Sequence, residues 1–241
     1  MSDPPRPQQN ALLDGLHRDE RTRIFAQLEL VPLALGQIMC EAGQPFTHAY
    51  FPVDGIVSLL YVMENSASAE IAVVGNEGMV GVALFMGGDS TLSRAIVQNA
   101  GHAYRLESTQ LKREFRQSAG FQLGLLRYAT TLITQMVQTA ACNRHHSVDQ
   151  QLCRWLLMSL DRLPSAHLHM TRKLIGNMLG IDNAGVTTAA SVLERAGLIE
   201  FDGDNITVLS RAGVEHRSCE CYAVVKKECD RLAMSAMSTA A

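Results

Sequence analysis

The stretch TRKLIGNMLGIDNAGVTTAASVLERAG, Thr171 to Gly197, decides the fold. Thr171 is a helix-capping residue. Leu174, Ile175, Met178 and Leu179 follow at spacings that place them on one helical face. Gly180 stands where a helix ends in a left-handed residue. Asp182 caps a second helix with Val186, Ala189, Ala190 and Leu193 inward, and Gly197 closes it. Leu198 to Leu209 then reads as two strands around a Gly-containing turn. Two helices joined by a short Gly turn, with a hairpin after them, predict a winged helix-turn-helix.

The second helix of such a pair enters the DNA major groove. Its outward N-terminal positions are Asn183, Ala184, Thr187 and Thr188, with Ser191 one turn on. Asn183 suits adenine, and the threonine methyls suit thymine. Thr171, Arg172 and Lys173 are the expected phosphate contacts. They are few, because residues 148–241 hold 10 Lys and Arg against 11 Asp and Glu.

Upstream, residues 108–146 contain no proline and only Gly120 and Gly124. Leu125, Leu132 and Thr139 repeat at seven, as do Tyr128, Gln135 and Cys142. Ile133, Met136, Val137 and Ala140 thicken the stripe. This predicts a long helix that pairs with its own copy through Leu125, Tyr128, Leu132 and Met136. The polar Gln135 and Thr139 weaken that seam, and the alternative is a helix lying on the preceding domain. From Leu30 to Glu107, short β-branched and aromatic runs are divided by Gly, Asn, Asp and Pro. Such a texture predicts a closed or double-layered antiparallel structure. Leu12, Leu13, Leu16, Ile24, Phe25 and Leu28 predict a short amphipathic helix or helix pair before it. The expected organisation is a flexible tail at 1–10, a β domain at 11–118, a dimerisation helix at 119–147 and the winged unit with a helical tail at 148–241.

Of the 241 residues, 47% are hydrophobic and 19% charged, which excludes a disordered chain or a coiled-coil rod. The net charge of −3 argues against tight non-specific nucleic-acid binding driven by charge alone. No apolar run is long enough to span a membrane, and the polar, Pro-rich start holds no signal-peptide core. A cytoplasmic protein without disulfides is expected.

Specific strings extend the pattern. They are PFTHAYFPVDGIVS at Pro45–Ser58, NEGMVG at Asn76–Gly81 and RAIVQ at Arg94–Gln98. Cys142-Asn-Arg144, Ser147-Val148, Arg154-Trp155-Leu156, Thr171 through Ile199 and SCECY at Ser218–Tyr222 continue it. With the element order, they make the chain resemble the Crp/Fnr family of bacterial transcription regulators over nearly its whole length. The resemblance implies an α+β fold: a cyclic-nucleotide-binding-like β-roll, a long dimerisation helix and a C-terminal winged helix-turn-helix. It also implies a homodimer on a palindromic DNA operator, with RNA polymerase as a further partner.

The chain departs from the family pattern at the sensor. Gly81, Val82, Ser93, Arg94 and Ala95 occupy the region where cyclic-nucleotide binders carry a Gly-Glu pair and an Arg-Ser-Ala or Arg-Thr-Ala string. Val82 cannot accept a bond from a ribose hydroxyl. Ser93 takes the arginine position, and Arg94, one place on, belongs on the opposite strand face. Gating by cyclic AMP is therefore not expected, unless a bulge at Gly87-Gly88 resets the register. The cysteine cluster of the oxygen-sensing branch is absent, since only Cys40 precedes residue 142. His48, His102, His145 and His146 are scattered and suggest no haem pair. At the DNA helix, Asn183, Ala184 and Thr188 replace the family's arginines and glutamate. A regulator with weakened base readout, acting through protein contacts, is the alternative reading.

No cofactor is expected. The tail string His216-Arg-Ser-Cys-Glu-Cys-Tyr222 with Cys229 offers His216, Cys219, Cys221 and Cys229 as candidate metal ligands. Cys-x-Cys is an uncommon zinc spacing, and the plainer reading packs Cys219 or Cys221 against the winged unit. No enzyme motif is present: there is no Gly-rich phosphate loop, no His-Glu-x-x-His and no nucleophile elbow. Glu77 reads as a solvent-facing turn residue.

Overall fold

The computed structural model describes residues 4–65, 67–163 and 167–239. In chain order the elements are α1 (Ala11–Asp14), α2 (Arg18–Phe25), β1 (Glu29–Leu33), β2 (Ile38–Cys40), β3 (His48–Pro52), β4 (Ile56–Val62), β5 (Ser68–Val74), β6 (Ser93–Asn99) and β7 (Gly101–Glu107). Three helices follow: α3 (Ser108–Gln117), α4 (Ala119–His145) and α5 (Val148–Leu160). The last part comprises β8 (His167–His169), α6 (Arg172–Leu179), α7 (Asn183–Arg195), β9 (Ile199–Asp202), β10 (Asn205–Val208), α8 (Arg211–Arg217) and α9 (Glu220–Thr239).

Two antiparallel sheets, ordered β1-β7-β3 and β2-β6-β4-β5, form the roll. The second sheet is covered on both faces, which explains the near-continuous apolar run of β4. Val57, Leu59, Ala72 and Val74 join the roll interior, while Ile56 and Val73 join a second core with Trp155, Leu156 and Ile175. A β-bulge breaks this alternation. Leu59 pairs with Ala72 but Leu60 pairs with Glu70, so Ile71 is the extra residue. The bulge turns Glu70 onto the face of Ser58, whose Oγ lies 2.6 Å from Glu70 Oε2.

The residues of the expected dimer seam lie inward in the single chain. Leu125, Tyr128 and Leu132 are buried in this chain's own core, and Met136 packs partly against it. Tyr128 donates to the Met79 carbonyl at 3.0 Å. A Cβ on Gly78 would lie 2.0 Å from the Tyr128 ring, so α4 meets that turn only over a glycine. The opposite face of α4 is free among the described residues: Leu123, Leu126, Ile133 and Val137 are 44–58% exposed.

Within the expected tail, Pro5 and Asn10 make contacts to the roll. Pro7–Gln9 make one 3-10 turn, and Tyr104 donates to the Pro5 carbonyl. Asn10, fully buried, caps α1 and donates to the carbonyls of Pro52 and Gly78. Residues 1–3 of the expected tail, and 240–241 at the chain's end, lie outside the described residues. The α9 helix packs along α4 and buries Leu232 in the main core.

Candidate functional site

The winged unit forms from local signals. Thr171 Oγ1 accepts from the Leu174 amide at 3.1 Å, and Gly180 ends α6 with φ of 69°. A Cβ on Gly176 would sit 2.8 Å from the Ile181 carbonyl oxygen, so the turn between the helices closes over a bare backbone. Asp182 Oδ1 accepts from the Gly185 amide at 2.7 Å and starts α7. Val186, Ala189, Ala190 and Leu193 are buried beneath it. The wing is larger than the hairpin that the sequence suggests. A third strand, β8, pairs with β10, giving the order β8-β10-β9. The run His167-Leu168-His169 is too short and too polar to announce itself.

Asn183, Ala184, Thr187 and Thr188 are exposed along the first turns of α7, with Ser191 half-buried. Thr187 Oγ1 donates to the Asn183 carbonyl at 2.8 Å and Thr188 Oγ1 to the Ala184 carbonyl at 3.0 Å. Each hydroxyl has one proton, so these threonines offer a methyl and a lone pair outward. Lys173 is exposed. Arg172 is tied to the wing: its guanidinium lies 4.4 Å over the Phe201 ring, and its Nε has no partner among the described residues.

In the roll, Gly81 adopts φ of 104° and Val82 opens the 3-10 turn Val82–Leu84. Ser93 and Ala95 are buried, while Arg94 turns the other way and donates from Nε to Glu41 Oε2 at 2.8 Å. Ser93 Oγ stands 3.0 Å from Thr91 Oγ1. These five positions therefore present no paired carboxylate and guanidinium to a ligand. Glu77 is not solvent-facing. It pairs with Arg162 at 2.8 Å, and both side chains are largely buried.

The metal candidates regroup. His216 is exposed, and Cys229 packs by the core of the winged unit. Cys219 and Cys221 instead meet Cys142 and His146, and the four potential ligand atoms lie within 4.8 Å of one another. Cys142 Sγ and Cys219 Sγ stand 3.5 Å apart and share one thiol hydrogen bond, in which either sulfur can donate. Sharing that bond splits the two thiols, Cys219 downward and Cys142 upward. Sequence reasoning missed Cys142 and His146, although their i, i+4 spacing on a helix was a usable signal.

Residues 30–118 match the family model described as a cyclic nucleotide-binding domain, and residues 150–217 the one described as a Crp-like helix-turn-helix domain. Together they span well over half of the chain. No curated protein matches the sequence. Among solved structures, FixK2 from Bradyrhizobium japonicum is similar over 80% of this chain and 98% of its own, with 16% identity and a TM-score of 0.69. A Eubacterium rectale protein described as a Crp/Fnr-family transcriptional regulator aligns over 87% and 98%, at 15% identity and a TM-score of 0.67. The regulator CLP of Xanthomonas campestris, described as c-di-GMP responsive, aligns over 80% and 99%, at 16% identity and a TM-score of 0.61. At these identities the likeness is one of fold. No helix among the described residues is long and apolar enough to cross a membrane.

Proposed function

The chain belongs to the Crp/Fnr family of transcription regulators, and we propose that it acts as a cytoplasmic homodimer reading a palindromic operator, ungated by cyclic AMP. The observation that carries this reading is the exposed N-terminal face of α7 beside a three-stranded wing. Asn183 offers a bidentate amide to adenine, and Thr187 and Thr188 offer methyls to thymine. Lys173 and the Thr171 end of α6 position the backbone. The exposed row Leu123, Leu126, Ile133 and Val137, with Thr130 at the intervening heptad position and Ala140 at the next one, is the surface that pairs with a second copy. Two recognition helices then reach half-sites about one helical turn, roughly 34 Å, apart. RNA polymerase is the further partner, and the chain performs no catalysis.

Against cyclic AMP stand Val82, which has no carboxylate for the ribose, and Arg94, which is engaged with Glu41 on the outer face of β6. A second reading has its own support. No arginine lies on the first turns of α7, and Arg172 is stacked on Phe201. In that reading base selectivity is weak and a protein partner supplies the specificity.

Selection of bound fragments from random DNA, followed by salt titration of the winners, separates the two. Direct readout predicts an enriched palindrome whose complex survives salt that releases bulk DNA. Absence of any enriched motif refutes it in favour of the partner-dependent reading. Calorimetry with millimolar cyclic AMP should show no saturable heat, and a micromolar Kd would refute the ungated sensor.

A further inference from the structure

We propose that Cys142, His146, Cys219 and Cys221 form a closed, four-coordinate zinc site joining the end of α4 to the start of α9. The donor set is three sulfurs and one imidazole nitrogen, the soft tetrahedral set that Zn2+ takes. Zn–S bonds of about 2.3 Å and Zn–N bonds of about 2.0–2.1 Å imply tetrahedral edges of roughly 3.8 Å between sulfurs and roughly 3.6 Å from sulfur to nitrogen. Cys142 Sγ and Cys219 Sγ stand 3.5 Å apart, and Cys221 Sγ and His146 Nδ1 stand 3.6 Å apart. All four donor atoms fall within 4.8 Å of one another. The site therefore needs only small side-chain adjustments to close on an ion.

The surroundings fit a metal as well. His146 turns Nδ1 toward Cys221, and its Nε2 lies 3.2 Å from Glu220 Oε2. A carboxylate on the far ring nitrogen fixes the tautomer that leaves the near nitrogen free to ligate. Three thiolates on Zn2+ leave one net negative charge. Arg154, a buried cation whose Nε has no partner among the described residues, lies within electrostatic reach of Cys142 and Cys221. The three cysteines are buried and His146 nearly so, which leaves no open coordination position for a substrate. The role is structural. Residues 142 and 219 are 77 apart in sequence, so the ion closes a loop that contains α5 to α8. It ties both ends of the winged unit to the helix that carries the dimer surface, and so limits bending at Ser147.

The test uses the full chain purified without chelator under air-free, reducing conditions. Elemental mass spectrometry should find about one zinc per chain. Exchange with cobalt(II) should give the thiolate-to-cobalt charge-transfer band and the intense visible bands of a tetrahedral site. Cys221→Ser should lose zinc to a chromophoric chelator that the wild type resists. Glu220→Gln should weaken retention by about tenfold. Cys229→Ser and Cys153→Ser should hold zinc like the wild type. Cys142 is fully buried, so Cys142→Ser could fail to fold, and cobalt titration of the wild type decides the matter without it. A chain that takes up neither ion overturns the proposal. So does iron in place of zinc, a Cys142–Cys219 disulfide in the metal-free protein, or equal zinc loss from Cys229→Ser. No arm involves DNA, so its failure and the failure of the regulator reading are distinguishable.

Discussion

Glu70 makes this protein less stable as pH rises, and Glu70→Gln should remove that dependence. The bulge at Ile71 buries Glu70 on the face of β5 that meets the winged unit. Burial pushes its carboxyl up from 4.5 to about 7, against the pull of Ser58, Arg154, Arg162 and Trp155 around it. The hydrogen-bond network agrees. Ser58 Oγ lies 2.6 Å from both Glu70 Oε2 and Gln98 Oε1. The Gln98 amide is oriented by donation from Nε2 to Ser159 Oγ at 3.3 Å. A hydroxyl has one proton, so both short contacts are hydrogen bonds only when Glu70 is protonated and donates to Ser58. In the unfolded chain the carboxyl ionises near 4.5; in the native state it keeps its proton to about 7. Between those values the native state binds more protons, so stability falls as pH rises. At about 1.4 kcal/mol per unit, the full loss is about 3.5 kcal/mol. Gln keeps the shape and the donor but cannot ionise. Urea unfolding of both proteins at one protomer concentration, from pH 5 to pH 8, reads the difference, because other titrating groups cancel. Wild type should lose about 2.5 kcal/mol relative to Glu70→Gln across that range. A difference that stays flat would refute the protonated, buried Glu70.

Ile133→Asp on the exposed face of α4 places a charge on each side of the proposed dimer surface, costs several kcal/mol of association and should give folded monomers in sedimentation. Leu132→Asp, one residue away but in the core, should instead lower the melting temperature. Gly78→Ala drives a Cβ into the Tyr128 ring and should destabilise by about 1–3 kcal/mol in denaturant titrations. Asn183→Ala should lose about 1–3 kcal/mol on a selected site and relax selectivity at one adenine step, whereas Lys173→Ala should weaken all sequences alike and reduce the salt slope by about one. Unchanged affinity and selectivity in Asn183→Ala would exclude direct readout by α7.

The helix-turn-helix was legible in the chain because its signals are local. The caps Thr171 and Asp182, the left-handed Gly180 and the 3.6-residue spacing of Leu174, Met178, Val186 and Leu193 act within one or two turns. The β-roll was legible for the same reason, in short runs punctuated by turn residues. The half-buried Arg94 between buried Ser93 and Ala95 also follows from alternation along Ser93–Val97, the part of β6 before its bulge at Gln98.

What tertiary structure alone decided lies where two distant segments meet. The α4 helix is apolar on two faces, and a seven-residue repeat is the same whether it meets the roll or a second chain. The Glu77-Gly78 turn, which receives Tyr128, together with β5, α3 and α9 packed along α4, sets Leu125 and Leu132 inward and leaves Leu123, Leu126, Ile133 and Val137 outside. Glu70 lies on the side opposite to simple alternation because a bulge depends on how β4 and β5 are paired. Cys142 and His146 join Cys219 and Cys221 only because α9 returns along α4. Periodicity and capping are written residue by residue along the chain. Packing partners are fixed by contacts across tens of residues, and local spacing reaches only pairs within one element, such as Cys142 and His146.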